Sequence, residues 1–249
     1  MILKRAFDIV AALAALLFFS PVLAAVMLAI WLQDRRSPFY IAPRAARGGG
    51  TFRMVKFRSM VVNADRIGGS STAATDRRIT PVGRLVRAYK LDELVQLWNV
   101  LRGDMSLVGP RPQVLTDARL YTEAEKGMLT IRPGITDLAS IVFADEGEIL
   151  AGSEDPDLRY NQVIRPWKSR LALLYVQHRS FVGDAGIILL TIVALVHRRL
   201  ALRGVRGLLR RWHADRLLMR MALRREPLMP CRPPGAYEAV STDYQLQTP

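Results

Sequence analysis

The side chains that could do chemistry are concentrated around one pair of adjacent acids. Asp92 and Glu93 lie within the segment Arg87-Ala88-Tyr89-Lys90-Leu91-Asp92-Glu93-Leu94. Neighbouring side chains on a helix point about 100° apart, and two adjacent carboxylates repel unless a cation or metal ion compensates them. The pair could therefore bind a cation and an anionic substrate. Alternatively, it could simply begin a helix, where the macrodipole stabilises acidic side chains.

Basic residues elsewhere in the sequence favour the first interpretation. They fall in short segments punctuated by Gly, Pro, Ser or Thr, which predicts loops rather than solvated helix faces. These residues are Lys56, Arg58, Arg78, Arg84, Arg87 and Arg111. Several guanidinium groups beside an acidic pair suit a substrate that carries phosphates and a bridging Mg²⁺.

Other site types are excluded by the motifs and residue counts. The sequence has no P-loop, no dinucleotide-binding glycine motif and no Ser-His-Asp set. Its single cysteine, Cys231, excludes an internal disulfide framework, and its three scattered histidines give no zinc spacing.

Apolar and charged residues are distributed unevenly along the chain. Half of the 249 residues are hydrophobic, yet the net charge is +14, so the apolar residues must be concentrated. A chain of this length can form one domain with additional segments, or two small domains. The composition excludes a disordered body and a fully soluble chain. The excess positive charge implies an anionic partner, either nucleic acid, an anionic membrane leaflet or a phosphorylated substrate.

The first apolar run, residues 9–32, has Ser20 as its single polar member and is long enough to cross about 30 Å of hydrocarbon. Pro21 near its middle predicts a kink. Basic residues flank both ends of the run, so the positive-inside rule assigns neither end to the outer side of the membrane. These features predict a re-entrant helix that breaks at Ser20-Pro21 and leaves the membrane on the face it entered. Hydropathy alone favours a spanning helix. A signal peptide is disfavoured by the length of the run.

A second apolar run, residues 185–196, is too short to span a membrane and predicts an interfacial or buried helix. Eleven arginines follow between residues 197 and 233, and Arg199, Arg203, Arg206 and Arg210 recur every three or four residues. This pattern predicts a basic amphipathic helix on anionic lipid, with a solvated arginine face or a nucleic-acid patch as alternatives.

Between these segments the sequence predicts a mostly helical α+β body without internal repeats. A β-hairpin is expected around residues 47–50, from the flanking segments 38–41 and 51–57. Rigid turns are expected at Gly109-Pro110-Arg111-Pro112 and Arg132-Pro133-Gly134. Helices are expected over residues 82–89, 91–101, 117–129 and 157–181.

Seven motifs in order give the body a resemblance to the bacterial sugar transferase family, the monotopic polyprenol-phosphate phosphoglycosyl transferases. The resemblance covers about residues 2–183. The motifs are Lys4-Arg5-Ala6-Phe7-Asp8-Ile9, Ser20-Pro21, Lys56-Phe57-Arg58-Ser59-Met60, Asp76-Arg77-Arg78-Ile79-Thr80 with Gly83, Lys90-Leu91-Asp92-Glu93-Leu94, Ser106-Leu107-Val108-Gly109-Pro110-Arg111-Pro112 and Arg132-Pro133-Gly134-Ile135-Thr136. Two departures are Val95, where many relatives carry Pro, and residues 137–140, where many carry Gly-Leu-Trp-Gln.

The resemblance implies transfer of a sugar 1-phosphate from a nucleotide sugar, usually a UDP-sugar, to undecaprenyl phosphate. This reaction would initiate polysaccharide or glycoconjugate synthesis at the cytoplasmic face of the bacterial inner membrane. The resemblance makes Asp92 the nucleophile, which forms an aspartyl-phosphate-sugar, and places Glu93 in a Mg²⁺ site. The candidate phosphate-binding residues are Lys56, Arg58, Arg78, Arg87 and Arg111.

The expected organisation has four parts. Residues 1–36 form the re-entrant membrane helix and residues 37–183 a small cytoplasmic catalytic domain. Residues 184–226 form the interfacial segment with the basic helix, and residues 227–249 a disordered tail. The expected partners are the nucleotide-sugar donor, undecaprenyl phosphate and anionic membrane lipid, with a homo-oligomer left open and no nucleic acid. A membrane-tethered nucleic-acid-binding protein is one alternative, and it does not account for the acidic pair. A membrane scaffold is the other, and it predicts no Mg²⁺-dependent release of uridine monophosphate with any donor.

Overall fold

A long N-terminal helix, α1 (Ile2–Asp34), precedes the rest of the fold. The structure is a computed structural model that describes residues 2–67, 71–73 and 75–240. By length and composition α1 could cross a membrane. The helix continues through Ser20 and Pro21, and the Ser20 hydroxyl donates to the carbonyl of Leu17 at 2.8 Å. Pro21 cannot donate a backbone hydrogen bond, so the helix is locally weakened at the predicted break without being interrupted.

The N-terminal end of α1 is bound to the body by polar contacts. The guanidinium of Arg5 donates to the carbonyl oxygen of Val100 at 2.6 Å. The buried carboxylate of Asp8 accepts a 2.8 Å hydrogen bond from the Ser106 hydroxyl. One turn later, Ala12 is fully buried. These contacts fix the beginning of α1 against the body.

The C-terminal end of α1 is bound to the same body. Ile30 is buried with Phe57 and Val86 in one apolar cluster. Asp34, the last residue of the helix, pairs with Arg58 at 2.6 Å. Between the two ends, several large apolar side chains are exposed, namely Leu13, Leu17, Phe18, Val22 and Leu28. The body therefore holds both ends of the helix and leaves an apolar surface on its middle part.

The predicted β-hairpin is confirmed. Strands β1 (Phe39–Ala45) and β2 (Thr51–Phe57) pair antiparallel, with Tyr40 opposite Lys56. In β2, Phe52 and Met54 are buried. The alternation that buries these side chains fixes the register of the strand that carries Lys56.

Three short helices follow, where the sequence predicted two. They are α2 (Pro81–Ala88), α3 (Leu91–Leu94) and α4 (Leu97–Arg102). Thr80 caps α2 by accepting a 3.0 Å hydrogen bond from the amide of Gly83. Lys90 has a left-handed backbone with φ of 56°, which separates α2 from α3. The predicted helix over 91–101 is divided into α3 and α4.

A second sheet forms where the sequence predicted only turns. Strands β3 (Ser106–Val108) and β4 (Gly134–Thr136) pair in parallel. Each has three residues, too few for alternation to be recognised in a sequence.

The helix predicted over residues 117–129 is wrong. The chain forms α5 (Leu115–Arg119) and then a separate 3₁₀-helix, Glu125–Thr130. The amide of Thr122 donates to Glu125, and the amide of Glu125 donates to the Thr122 hydroxyl. This reciprocal capping begins a new helical segment. Glu125 is fully buried and paired with Arg165, so a tertiary contact decides where the second segment starts.

The remaining helices surround the larger apolar core. They are α6 (Leu138–Val142), α7 (Glu146–Ile149), α8 (Pro156–Val163), α9 (Arg165–His178), α10 (Phe181–Val196), α11 (Arg198–Arg211) and α12 (Arg216–Met221). The helical segment predicted over residues 157–181 is divided into α8 and α9 and ends at His178. The overall class is a mostly helical α+β fold.

Helix α11 has the predicted amphipathic pattern, but its apolar face is covered. Ala201, Leu202, Val205 and Leu209 are buried in the main core, whereas the arginines at 199, 203, 206 and 210 are exposed. The sequence-based expectation that this apolar face meets lipid is therefore corrected, because the face packs against the protein. Helix α10 instead presents exposed apolar residues, including Leu189, Ile192 and Leu195.

The C-terminal segment after α12 lies along the body without regular structure as far as residue 240. The amide of Cys231 donates to the carbonyl of Gln162 at 3.0 Å, and the side chain of Gln162 donates to the carbonyl of Val240, also at 3.0 Å. Residues 241–249 of the predicted disordered tail lie outside the described residues.

Candidate active site

The acidic pair lies in the first turn of α3. The left-handed Lys90 immediately precedes the helix, and the amide of Glu93 donates to the Lys90 carbonyl at 3.1 Å. Both carboxylates are mostly buried, with 13% of the Asp92 side chain and 17% of the Glu93 side chain exposed. Two adjacent acids held so far from water require nearby positive charge.

Lys56 supplies positive charge to Asp92. Its ammonium nitrogen lies 3.9 Å from the Asp92 carboxylate. Lys56 reaches this position because the strand β2 packs against α3 and α4. The sequence predicted that both residues belong to one site, and the structure places them together.

Asn99, which the sequence analysis missed, joins β2 to α4. Its side-chain oxygen accepts a 2.9 Å hydrogen bond from the amide of Val55, and its side-chain nitrogen donates to the carbonyl of Arg53 at 2.8 Å. Asn99 is fully buried. The sequence did contain a signal for this role. Asn99 is an amide side chain within the otherwise apolar run 97–101, and a buried amide needs hydrogen-bond partners. Through these bonds Asn99 fixes the strand next to Lys56.

Arg111 supplies positive charge to Glu93. Its guanidinium donates to the Glu93 carboxylate at 2.5 Å. Arg111 lies on the turn that follows β3, and Gly109 and Gly134 allow that turn to approach β4. A Cβ atom on Gly109 would lie 2.5 Å from the carbonyl oxygen of Arg132, and one on Gly134 would lie 2.1 Å from the Gly109 nitrogen. The Gly-Pro-Arg-Pro and Arg-Pro-Gly motifs thus meet in space and direct Arg111 towards the acidic pair.

The electrostatics distinguish the two acids. Burial raises the pKa of Asp92; Lys56 opposes that shift and the neighbouring Glu93 charge adds to it. Burial would also raise the pKa of Glu93, but Arg111 and Lys56 together hold it well below its usual range. Glu93 is therefore a firmly ionised, paired carboxylate, whereas Asp92 is the less stabilised anion and the better candidate for a nucleophile.

The pKa values of Lys56 and Arg111 are shifted by the same buried, charged surroundings. Burial lowers the pKa of Lys56, and the charge of Arg111 lowers it further. The Glu93 carboxylate raises the pKa of Arg111. A more distant cation, Arg87, also lowers the pKa of Asp92. The structure thus groups three of the five predicted phosphate-binding residues electrostatically with the acidic pair.

The other two predicted phosphate-binding residues have carboxylate partners. Arg58 is buried and forms two hydrogen bonds with Asp34 at 2.6 and 2.7 Å. Arg78 pairs with Asp76 at 2.7 Å and donates to the carbonyl of Ala64. These placements give Arg58 a role in anchoring α1 and Arg78 a role in its own loop.

A shallow, open cleft lies beside Arg111. Polar and aromatic side chains line it, including Gln113, Asp117, Tyr121, Tyr160 and Lys168. The cleft presents hydrogen-bonding groups and ring faces, and Arg111 connects it to the acidic pair through Glu93.

The acidic pair also fits a magnesium ion by the chemistry of its donors. Mg²⁺ in phosphate-handling sites is held by one or two carboxylates, with substrate phosphate oxygens and water completing the coordination. Asp92 and Glu93 provide such a pair. No group of three or more acidic, histidine or cysteine side chains able to hold a metal ion occurs among the described residues.

Comparison with known proteins gives a consistent set of relatives. The model of the bacterial sugar transferase family matches residues 1–198. The exopolysaccharide production protein ExoY of Sinorhizobium fredii is 36% identical over 209 residues, covering 77% of this chain and 84% of the relative.

Two further relatives have names that describe a reaction. An undecaprenyl-phosphate glucose phosphotransferase of Komagataeibacter xylinus is 39% identical, covering 77% of this chain and 35% of the relative. A UDP-glucose:undecaprenyl-phosphate glucose-1-phosphate transferase of Caulobacter vibrioides is 34% identical, covering 78% of this chain and 69% of the relative.

Proposed function

This chain belongs to the bacterial sugar transferase family, and we propose that it transfers a sugar 1-phosphate from a UDP-sugar to undecaprenyl phosphate. The observation that carries the proposal is the buried acidic pair with its two cations, Lys56 beside Asp92 and Arg111 bonded to Glu93. Relatives whose names describe undecaprenyl-phosphate glucose phosphotransfer support the same reaction class.

The reaction proceeds in two displacements at phosphorus. A carboxylate oxygen of Asp92 attacks the β-phosphorus of the nucleotide sugar. The bond from that phosphorus to the bridging oxygen breaks, and the nucleoside monophosphate leaves with the bond's electron pair. An aspartyl-phosphate-sugar remains. A phosphate oxygen of undecaprenyl phosphate then attacks the same phosphorus, releases the Asp92 carboxylate and forms a polyprenyl diphosphate sugar. The covalent intermediate lets a water-soluble donor and a membrane-bound acceptor use one site in turn.

The positive side chains make this attack feasible. A carboxylate that approaches a diphosphate meets strong repulsion, which fixed cations reduce when they face the developing charge. Lys56 lies next to the attacking group, and Arg111 lies at the opening of the adjacent cleft. We assign Lys56, Arg87 and Arg111 to phosphate neutralisation.

Magnesium is the proposed cofactor. Glu93 would hold the ion, which would supply further charge neutralisation at the diphosphate. The low pKa of Glu93 keeps its carboxylate ionised and able to act as a ligand.

We also propose that α1 is re-entrant and that the body faces the cytoplasm of a bacterial inner membrane. The support comes from the two ends of α1. Arg5 contacts α4 at one end and Asp34 contacts Arg58 at the other, so both ends lie on one body. A membrane-crossing helix would place its two ends on opposite sides. The basic residues that flank both ends agree with a single cytoplasmic side.

A donor screen tests the proposed function. Membranes that contain the protein and undecaprenyl phosphate are incubated with individual UDP-sugars, with and without EDTA. We expect release of uridine monophosphate with one or a few donors, and its loss when EDTA removes the metal. No release with any nucleotide sugar would contradict the proposal.

A further inference from the structure

An ion cluster joins the C-terminal helices to the catalytic body. The carboxylate of Asp145 forms an ion pair with Arg198 at 2.6 Å and accepts a 3.2 Å hydrogen bond from Arg224. The Asp145 side chain is 16% exposed and that of Arg224 is 12% exposed. Removing one partner of such a pair leaves a poorly solvated charge without compensation. The two arginines therefore constrain the position of Asp145.

The same two arginines contact the chain that leads to Asp145. The guanidinium of Arg198 donates to the carbonyl of Val142 at 3.3 Å. The guanidinium of Arg224 lies over the ring of Phe143, 5.6 Å from its centre. Val142 and Phe143 are buried in the main core. Arg198 and Arg224 thus hold the whole turn from α6 to α7.

This turn is connected to the active site through the next residue. Glu146 forms an ion pair with Lys168, and Lys168 lines the same cleft as Arg111. Movement of the turn would therefore move Lys168 in the wall of the cleft beside Arg111.

Arg224 lies outside the part of the chain that defines the family. The family model ends at residue 198, so the family-matched residues include Arg198 but not Arg224. Arg224 also has a left-handed backbone with φ of 51°, a conformation that non-glycine residues adopt at a cost. In this conformation the guanidinium of Arg224 reaches Asp145.

We propose that Arg224 and Arg198 are positioning residues, which hold the Asp145–Glu146 turn so that Glu146 keeps Lys168 in the wall of the cleft beside Arg111, where the nucleotide-sugar donor would bind. The C-terminal extension is then a part of the active-site support. This inference rests on the proposed function for its catalytic consequence, whereas its structural part can be tested without activity.

The test compares Arg224→Gln and Arg224→Lys with Arg225→Gln, a matched control in which the neighbouring exposed arginine loses its charge. Hydrogen–deuterium exchange of peptides covering residues 138–150 reports on the turn. Donor KM and acceptor KM are measured separately, with the UDP-sugar that the wild-type protein uses. Displacement of a positioning group by about 1 Å can reduce a rate about 100-fold, and Arg224 acts on the cleft only indirectly, so we expect kcat/KM for the donor to fall roughly tenfold in Arg224→Gln, with a higher donor KM.

The supporting result is faster exchange in residues 138–150 and a higher donor KM in Arg224→Gln. Acceptor KM should stay unchanged, Arg224→Lys should recover part of the effect, and Arg225→Gln should resemble the wild type. Unchanged exchange would overturn the inference, and so would faster exchange with an unchanged donor KM. If the wild-type protein uses no UDP-sugar, the proposed function fails, and the exchange of residues 138–150 alone decides whether Arg224 holds the turn.

Discussion

Arg111 and Glu93 form a 2.5 Å ion pair between two motifs that are separated by 18 residues in the chain. Arg111 follows β3, and Glu93 lies in the first turn of α3. The pair fixes the orientation of the metal-binding candidate and leaves Asp92 next to Lys56. One contact thus separates the two acids into a paired carboxylate and a candidate nucleophile.

The first prediction concerns the shape of the cation at position 111. Replacing Arg111 with Lys keeps the charge but removes the planar guanidinium, which can contact Glu93 and a phosphate simultaneously. Loss of one preorganised donor costs about 100-fold or more in rate, so we expect a decrease of that order in kcat/KM for the donor. Arg119→Lys, at an exposed position of α5, is the control and should retain activity. Wild-type kinetics in Arg111→Lys would remove Arg111 from the site.

The second prediction concerns pH. Asp92 must be ionised to attack, and burial raises its pKa, so activity should fall on acidification at a pH above the ordinary aspartate value of about 3.9. Lys56 lowers the pKa of Asp92. Lys56→Gln should therefore raise this pKa further and move the acidic limb of the kcat/KM profile to higher pH. An unchanged limb, or a shift to lower pH, would show that Asp92 does not control it.

The third prediction concerns the close contact between the motifs. A Cβ atom on Gly109 would meet backbone atoms 2.5 Å away, and overpacking of this kind costs about 1–3 kcal/mol. Gly109→Ala should lower both the thermal midpoint and the activity. Gly207→Ala is the matched control, because Gly207 lies in α11 with nothing within 4 Å of an added Cβ. That substitution should stabilise the helix by about 0.5–1 kcal/mol. Equal thermal midpoints for the two variants would contradict the contact.

The fourth prediction concerns the topology of α1. Cys231, the single native cysteine, is replaced by Ser, and cysteines are then placed at Ile2 or Tyr40, both of which are exposed. A membrane-impermeant thiol reagent should label neither position in intact cells and both in inverted vesicles. Periplasmic labelling at position 2 together with cytoplasmic labelling at position 40 would show that α1 spans the membrane.

The sequence was most informative where local patterns determine structure. The hairpin around residues 47–50, the amphipathic pattern of α11 and the acidic pair near a helix start were all readable from spacing. Grouping Lys56 and Arg111 with the acidic pair depended on motif order and chemistry, and the structure places these residues together.

What the sequence left undetermined depends on partners far along the chain. The hydrogen-bonded pair between Arg58 and Asp34, 24 residues apart in the chain, is one such contact, which no local pattern indicates. The three-residue strands β3 and β4 exist because Gly109 and Gly134 permit close backbone contact, which no periodicity reveals. The covered face of α11 likewise depends on the core it packs against. These features depend on contacts between residues far apart in the chain, so the local sequence pattern does not determine them.

The most direct test of the account is mass spectrometry of the enzyme quenched with its UDP-sugar and Mg²⁺ but without polyprenol phosphate. The mechanism predicts a sugar-phosphate adduct on the peptide that contains Asp92, which disappears when undecaprenyl phosphate is added before quenching. Asp92→Asn keeps the side-chain shape without the nucleophile, so it should form no adduct and show no turnover. An adduct on a different residue, or full activity in Asp92→Asn, would contradict the central claim.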